Sequence, residues 1–183
     1  MVATEALKKD HRLIEKMLDI LQKVAKKLDQ GADVPASSLK NASEFIKTFA
    51  DNYHHGKEED LLFKAMEERG FPREGGPIGM MLIEHDEGRG FARALADGIE
   101  KYAGGDSNYK KTVAENARNY SDLLSQHIPK EDGILYMMAD NILPETFQEE
   151  LLKKFEKVEK EKLGEGGWQK YADLVDQLSK ELS

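Results

Sequence analysis

The residues best equipped for chemistry stand in two short stretches. Residues 53–63 read YHHGKEEDLLF and residues 127–136 read HIPKEDGILY. Superposing His54 on His127 aligns Lys57 with Lys130, Glu58 with Glu131, Leu62 with Leu135 and Phe63 with Tyr136. Each stretch therefore contains His-x-x-x-Glu, and residues four apart on a helix share one face about one turn apart. An imidazole and a carboxylate that point the same way make a metal-ligand pair. Two further histidines, His11 and His85, each interrupt an otherwise apolar helical seam. A lone core histidine is more often structural than a ligand, but four seam histidines with two seam glutamates are a different case. Buried carboxylates are costly without a cation or a close partner. A dinuclear metal site removes that cost, with Glu58 and Glu131 bridging and His11, His54, His85 and His127 supplying the imidazoles.

His55 and Glu59 also stand four apart. Their stripe runs back through Thr48 and Asn52, whereas that of His54 runs back through Ile46 and Ala50, and in the repeat the counterpart of His55 is Ile128. The sequence thus gives His54 and Glu58 to the site and leaves His55 and Glu59 an outer or surface role. Asp132 and Glu84, together with Asp86 and Glu87, are candidates to orient metal-bound imidazoles; the plainer reading is a solvated acidic face. Arg89, one turn past His85, is placed to pair with one of these acids. Met80, Met81, Met137 and Met138 read as walls rather than ligands.

The elements that must position these groups are helices. Leu7, Ile14, Leu18, Leu21, Ala25 and Leu28 recur at steps of three and four and predict a helix from about Ala3 to Gln30, with His11 in the same seam. Pro35 and the residues before it break it, and Ser37 or Ser38 can cap a second helix running to about Arg69. A third spans about Ile78 to Ala103, with Met81, His85, Gly88, Ala92, Leu95 and Ile99 on one line. The fourth ends near Pro144 and places Val113, Ala117, Tyr120, Leu124, His127, Glu131, Ile134 and Met138 together. Pro129 inside it removes a backbone donor and predicts a kink or bulge beside His127. Residues 144–183 read as two shorter helices split at Gly164-Glu165-Gly166-Gly167 and packed on the rest. The expected fold is all-α: an up-down four-helix bundle over residues 1–143, pseudo-twofold, with a C-terminal helical extension over 144–183.

Composition narrows the function classes. The chain has 183 residues, no cysteine and a formal charge of −8. Absence of cysteine excludes thiolate zinc sites, cysteine-ligated iron–sulfur clusters and thiol nucleophiles. The acidic balance argues against nucleic acid and anionic membranes, which need a basic footprint. The Lys153–Lys162 run alternates with glutamate and reads as an ion-paired helix surface. With no signal peptide and no apolar run long enough to span a bilayer, the expected location is the cytoplasm.

The order His11, HHGKEEDLLF, EHDEGR around His85 and HIPKEDGILY resembles the hemerythrin-like proteins of the HHE cation-binding family, over roughly residues 3 to 143. The resemblance implies a four-helix bundle holding two iron ions joined by an oxo or hydroxo bridge. The ligands it implies are His11, His54, Glu58, His85, His127 and Glu131. Zinc or manganese can substitute at imidazole and carboxylate ligands. Respiratory hemerythrins are less similar, having a second histidine one turn before the one matching His85, where this chain has Met81. The pattern is closer to di-iron proteins that handle nitric oxide, peroxide or iron–sulfur repair, without the cysteine-bearing segment common in the repair proteins. Ferritin-like enzymes use Glu-x-x-His, carboxylate first, which is not paired here. Three functions are therefore expected in order: binding or sensing of a diatomic such as oxygen or nitric oxide, turnover of peroxide or nitric oxide, and iron storage or donation. No protein partner is named by the sequence.

Overall fold

The computed structural model describes residues 2–182, and these form six helices and no strand. Helix α1 spans Ala3–Asp29 and buries the seam read from its periodicity, His11 included. Helix α2 covers residues 36–67. Its α-helical segments Ala36–Glu44 and Phe63–Glu67 flank two π-helical segments, Phe45–His55 and Glu58–Leu62. Helix α3 is Pro77–Ala103, opened by a proline whose missing N–H costs nothing in the first turn. Helix α4 covers residues 110–142, with π-helical Glu131–Leu135 between Lys110–Lys130 and Tyr136–Ile142. Helices α5, Glu145–Leu163, and α6, Gly167–Glu181, follow. No helix among the described residues is long and apolar enough to cross a membrane.

Helix α4 packs along both α1 and α3, and α2 lies beside α3. The last two helices lie against α1 and α2. Val175 and Leu178 of α6 are fully buried there. Full burial of such side chains stabilises by about 1.5–3 kcal/mol each. Positive-φ glycines Gly164 and Gly166 make the reversal between α5 and α6.

The apolar core comes in two blocks. One contains Ile14, Leu18, Tyr53, Leu95, Leu124 and Ile128; the other contains Leu7, Leu62, Phe63, Met81, Leu135 and Tyr136. In each of the four long helices the chemistry-bearing residues fall between the two blocks: His11 after Leu7, His54 to Glu58 after Tyr53, His85 after Met81, and His127 to Glu131 before Leu135. A buried polar layer thus divides the bundle.

Three local expectations are corrected. Helix α2 starts at Ala36 with no side-chain cap, and the Ser38 hydroxyl instead donates to Glu181 of α6 at 3.1 Å. Ile134, read as part of the α4 seam, is 51% exposed, because the π-helical turn after Pro129 shifts the register and brings Leu135 and Tyr136 inward. Met80 and Met137 point outward instead of walling the site.

Candidate metal centre

Seven side chains converge in the polar layer, each with almost no exposed surface: His11, His54, His55, Glu58, His85, His127 and Glu131. They fall into two adjoining groups of mutually close ligand atoms, His11, His54, Glu58 and Glu131 in one and His55, His85 and His127 in the other. The glutamates face both. Glu58 Oε1 is 3.6 Å from His54 Nε2, and Oε2 is 3.6 Å from His85 Nε2. Glu131 Oε2 is 3.2 Å from His11 Nε2 and 3.1 Å from His127 Nε2, while Oε1 is 3.6 Å from His85 Nε2. Within the groups, His54 Nε2 is 2.9 Å from His11 Nε2 and His85 Nε2 is 3.1 Å from His127 Nε2. Ring nitrogens crowded this closely point their lone pairs at common centres.

What aims the imidazoles is a carboxylate behind each one. His11 Nδ1 lies 2.7 Å from Asp132, His54 Nδ1 3.3 Å from Asp10, His85 Nδ1 2.7 Å from Glu59, and His127 Nδ1 2.8 Å from Glu84. A proton at Nδ1, donated to the carboxylate, fixes the tautomer and leaves Nε2 free for a metal. The pattern obeys the internal repeat. Each motif histidine is held by the acid that precedes the lone histidine of another helix, Asp10 before His11 and Glu84 before His85. Each lone histidine is held by the acid that follows a seam glutamate, Glu59 after Glu58 and Asp132 after Glu131.

The motif lysines belong to the same device. Lys57 Nζ donates to Asp10 and Lys130 Nζ to Glu84, so each lysine neutralises the carboxylate that orients its own motif's histidine. Lys57 is buried, its ammonium also 3.8 Å over the Tyr53 ring. Asp10 accepts further from the indole N–H of Trp168 in α6 at 2.9 Å. Burial would raise the Asp10 carboxyl, but Lys57 and His54 outweigh it and hold it below its usual range.

The layer is a poor place for carboxylates without a cation. Glu58 Oε2 and both oxygens of Glu131 are buried with no hydrogen-bond partner. Burial opposes charge on His11, yet Asp132, Glu131 and Glu58 push its pKa up to about 10. His85 is likewise raised to about 10, against burial, by Glu131, Glu59 and Glu58. Glu131 is held well below the usual carboxylate range, again against burial, chiefly by His127 and His11. Protons on imidazoles are doing what metal cations do better, and metal binding at such sites releases them. The donor set, imidazole nitrogen and carboxylate oxygen, suits iron, zinc and manganese. The residues present fit bound metal.

All six residues read as ligands from the sequence lie in the layer. Glu59, Glu84 and Asp132 stand behind imidazoles, and Arg89 pairs with Glu59 at 2.7 Å and with Asp51 at 2.8 Å. Asp86 and Glu87 face solvent, Asp86 paired with Arg89 at 3.0 Å. His55 is neither outer nor on the surface. It is 4% exposed, its ring stacked 3.8 Å from that of His85, and its Nδ1 is 3.3 Å from Asp51. Burial and the neighbouring His85 push its pKa well down, which keeps it neutral. Sequence reasoning missed Asp10, Lys57 and Trp168. An acid immediately before each lone histidine, Asp10-His11 and Glu84-His85, was the available signal for the first.

Comparison with known proteins agrees with this geometry. The uncharacterized protein Rv1995 of Mycobacterium tuberculosis and the uncharacterized protein Mb2018 of Mycobacterium bovis are each 22% identical to this chain over 182 residues, covering 100% of it and 71% of the relative. No solved structure matches the chain. The family model for the hemerythrin HHE cation-binding domain matches residues 2–139, which take in the first three long helices, α4 up to its last three residues, and every residue of the polar layer. The protein is therefore a metal-binding helical bundle, and the chain belongs to the hemerythrin HHE cation-binding family.

Proposed function

We propose that this protein holds two iron ions in the polar layer and uses them to bind or sense a small diatomic such as oxygen or nitric oxide. The observation that carries the reading is the set of three unbonded carboxylate oxygens on Glu58 and Glu131, enclosed by inward-facing imidazole nitrogens. His11 and His54 would hold one ion and His85 and His127 the other, with Glu58 and Glu131 shared. A bound iron pair supplies redox chemistry and a coordination position open to a small ligand.

The surrounding residues favour holding a ligand over turning it over. General acid catalysis needs a proton donor within hydrogen-bond reach of the reacting atoms. The hydroxyl that reaches the ligand residues is that of Tyr136, and its proton is already donated to Glu58, while Tyr120 lines the neighbouring cavity. Phe63, Leu62, Leu135 and Met81 form the apolar side. On the other side, a cavity of about 300 Å³ lined by Ile46, Ala92, Tyr120, Asp51, Arg89 and His55 offers room for a small molecule beside the layer.

Turnover of peroxide or nitric oxide and iron storage are the competing readings, and one experiment separates them. The reduced, iron-loaded protein is exposed in turn to oxygen, nitric oxide and peroxide while its spectrum and the consumption of each are followed. A long-lived spectral change with no more than one equivalent consumed is expected for oxygen or nitric oxide. Sustained consumption of peroxide or nitric oxide would make the protein an enzyme, and absence of any ligand-dependent change would leave a store.

A further inference from the structure

We propose that His55 is itself a metal ligand, so that one metal position has three imidazoles, from His55, His85 and His127, and the other has two, from His11 and His54. The inference rests on the two-metal reading above and deepens it.

The first observation is the carboxylate behind the ring. All five histidines of the chain have Nδ1 within 2.7–3.3 Å of an acid, and His55 with Asp51 repeats the arrangement of the other four. Asp51 is fixed in turn by Arg89 at 2.8 Å. With Nδ1 committed, Nε2 is the nitrogen of His55 left for a ligand position. The second observation is proximity. One ligand atom each of His55, His85 and His127 lie within 4.8 Å of one another. Imidazole–metal bonds are about 2.1 Å long, so nitrogens around one ion stand no more than about twice that apart, and the His55 ring would have to turn out of its stack on His85 for both lone pairs to meet one ion.

The third observation is the backbone. On a regular helix two neighbouring residues diverge by about 100°, and only one can point squarely into a core. Here His54 and His55 end an 11-residue π-helical segment, whose wider turn lets both side chains enter the layer. The repeat carries no such pair at His127, where the neighbour is the apolar Ile128. The symmetry is broken in the opposite sense at the partner positions: Tyr136 places its hydroxyl against Glu58 and 3.4 Å from His11 Nε2, whereas the equivalent Phe63 places only a ring near His85. One position gains an imidazole and the other gains a phenol. Chemically unequal metal positions follow from the sequence of the two motifs.

The test uses the full chain loaded anaerobically with ⁵⁷Fe(II), with iron per chain measured after removal of free metal and the iron environments read by Mössbauer spectroscopy. The wild-type protein should show two quadrupole doublets of equal area and different splitting. H55Q should change one doublet and leave the other, with loss of one iron or binding of it at least about 10-fold weaker. R89Q, which leaves the Asp51–His55 contact in place but frees Glu59 behind His85, controls for the Arg89 link, and D51N, which removes the acceptor at His55 Nδ1, should weaken the same iron by about 10-fold more than R89Q does. D51N gives the same readout should H55Q fail to fold, judged by circular dichroism. Two irons with wild-type affinity and an unchanged spectrum in H55Q, or a single doublet in the wild-type protein, would overturn the assignment while leaving the two-metal reading standing. Fewer than two irons in the wild-type protein would overturn both.

Discussion

At the scale of single residues, the site is a system of matched charges in a buried layer. Its two halves use the same parts at different depths. Lys57 and Asp10 are both buried, whereas Lys130 is 37% exposed where it meets Glu84. Breaking a buried ion pair strands a charge and costs about 3–5 kcal/mol, whereas exposed pairs contribute about 0–1 kcal/mol. Lys57→Met should therefore lower the stability of the metal-free protein by about 3 kcal/mol in urea denaturation, and Lys130→Met by less than about 1 kcal/mol. Equal losses would mean that the pseudo-symmetry extends to energetics and that burial does not distinguish the two pairs. The same matching explains what was legible. His-x-x-x-Glu showed in the sequence because ligand and bridge sit on one face of one helix. Asp10 did not, because its partners His54, Lys57 and Trp168 are brought to it from elsewhere in the chain.

At the scale of helices, periodicity located all six elements, and its buried seams failed where the turn widens. A seam counted at 3.6 residues per turn predicts Ile134 inside and His55 outside; π-helical segments at Glu131–Leu135 and Phe45–His55 reverse both. Pro129 foretold the first, since a helix-interior proline disrupts the regular backbone hydrogen bonds. Nothing comparable in residues 45–55 foretold the second.

The terminal helices meet the site through Trp168, which reaches Asp10, and Phe155, which faces Lys57. Trp168 is the only tryptophan in the chain, and its indole N–H reaches the acid that holds His54. Saturating metal-free protein with zinc, which has no redox chemistry of its own, should shift Trp168 emission, and Asp10→Asn should abolish most of that shift. Unchanged emission at full zinc occupancy would show that α6 does not register the site. The docking of α6 is tested separately by Leu178→Ala, which removes a fully buried side chain from the contact with the bundle and should cost about 2–5 kcal/mol.

At the scale of the whole molecule, two apolar blocks hold the bundle together and the polar layer between them gives it a function. A sequence aimed only at stability would have filled that layer with leucine, because replacing buried ionic groups by packed apolar ones is often neutral or stabilising. Retaining five imidazoles and two glutamates there makes sense if a cation completes them. Glu131→Gln, which keeps shape but removes the charge facing both histidine groups, should then cost at least one metal ion while leaving the helical content unchanged. The most direct measurement is an anaerobic titration of the metal-free wild-type protein with Fe(II), reading iron retained per chain after free metal is removed. Two irons per chain, with the helical spectrum unchanged, are predicted; less than one per chain in a fully folded protein would contradict the account.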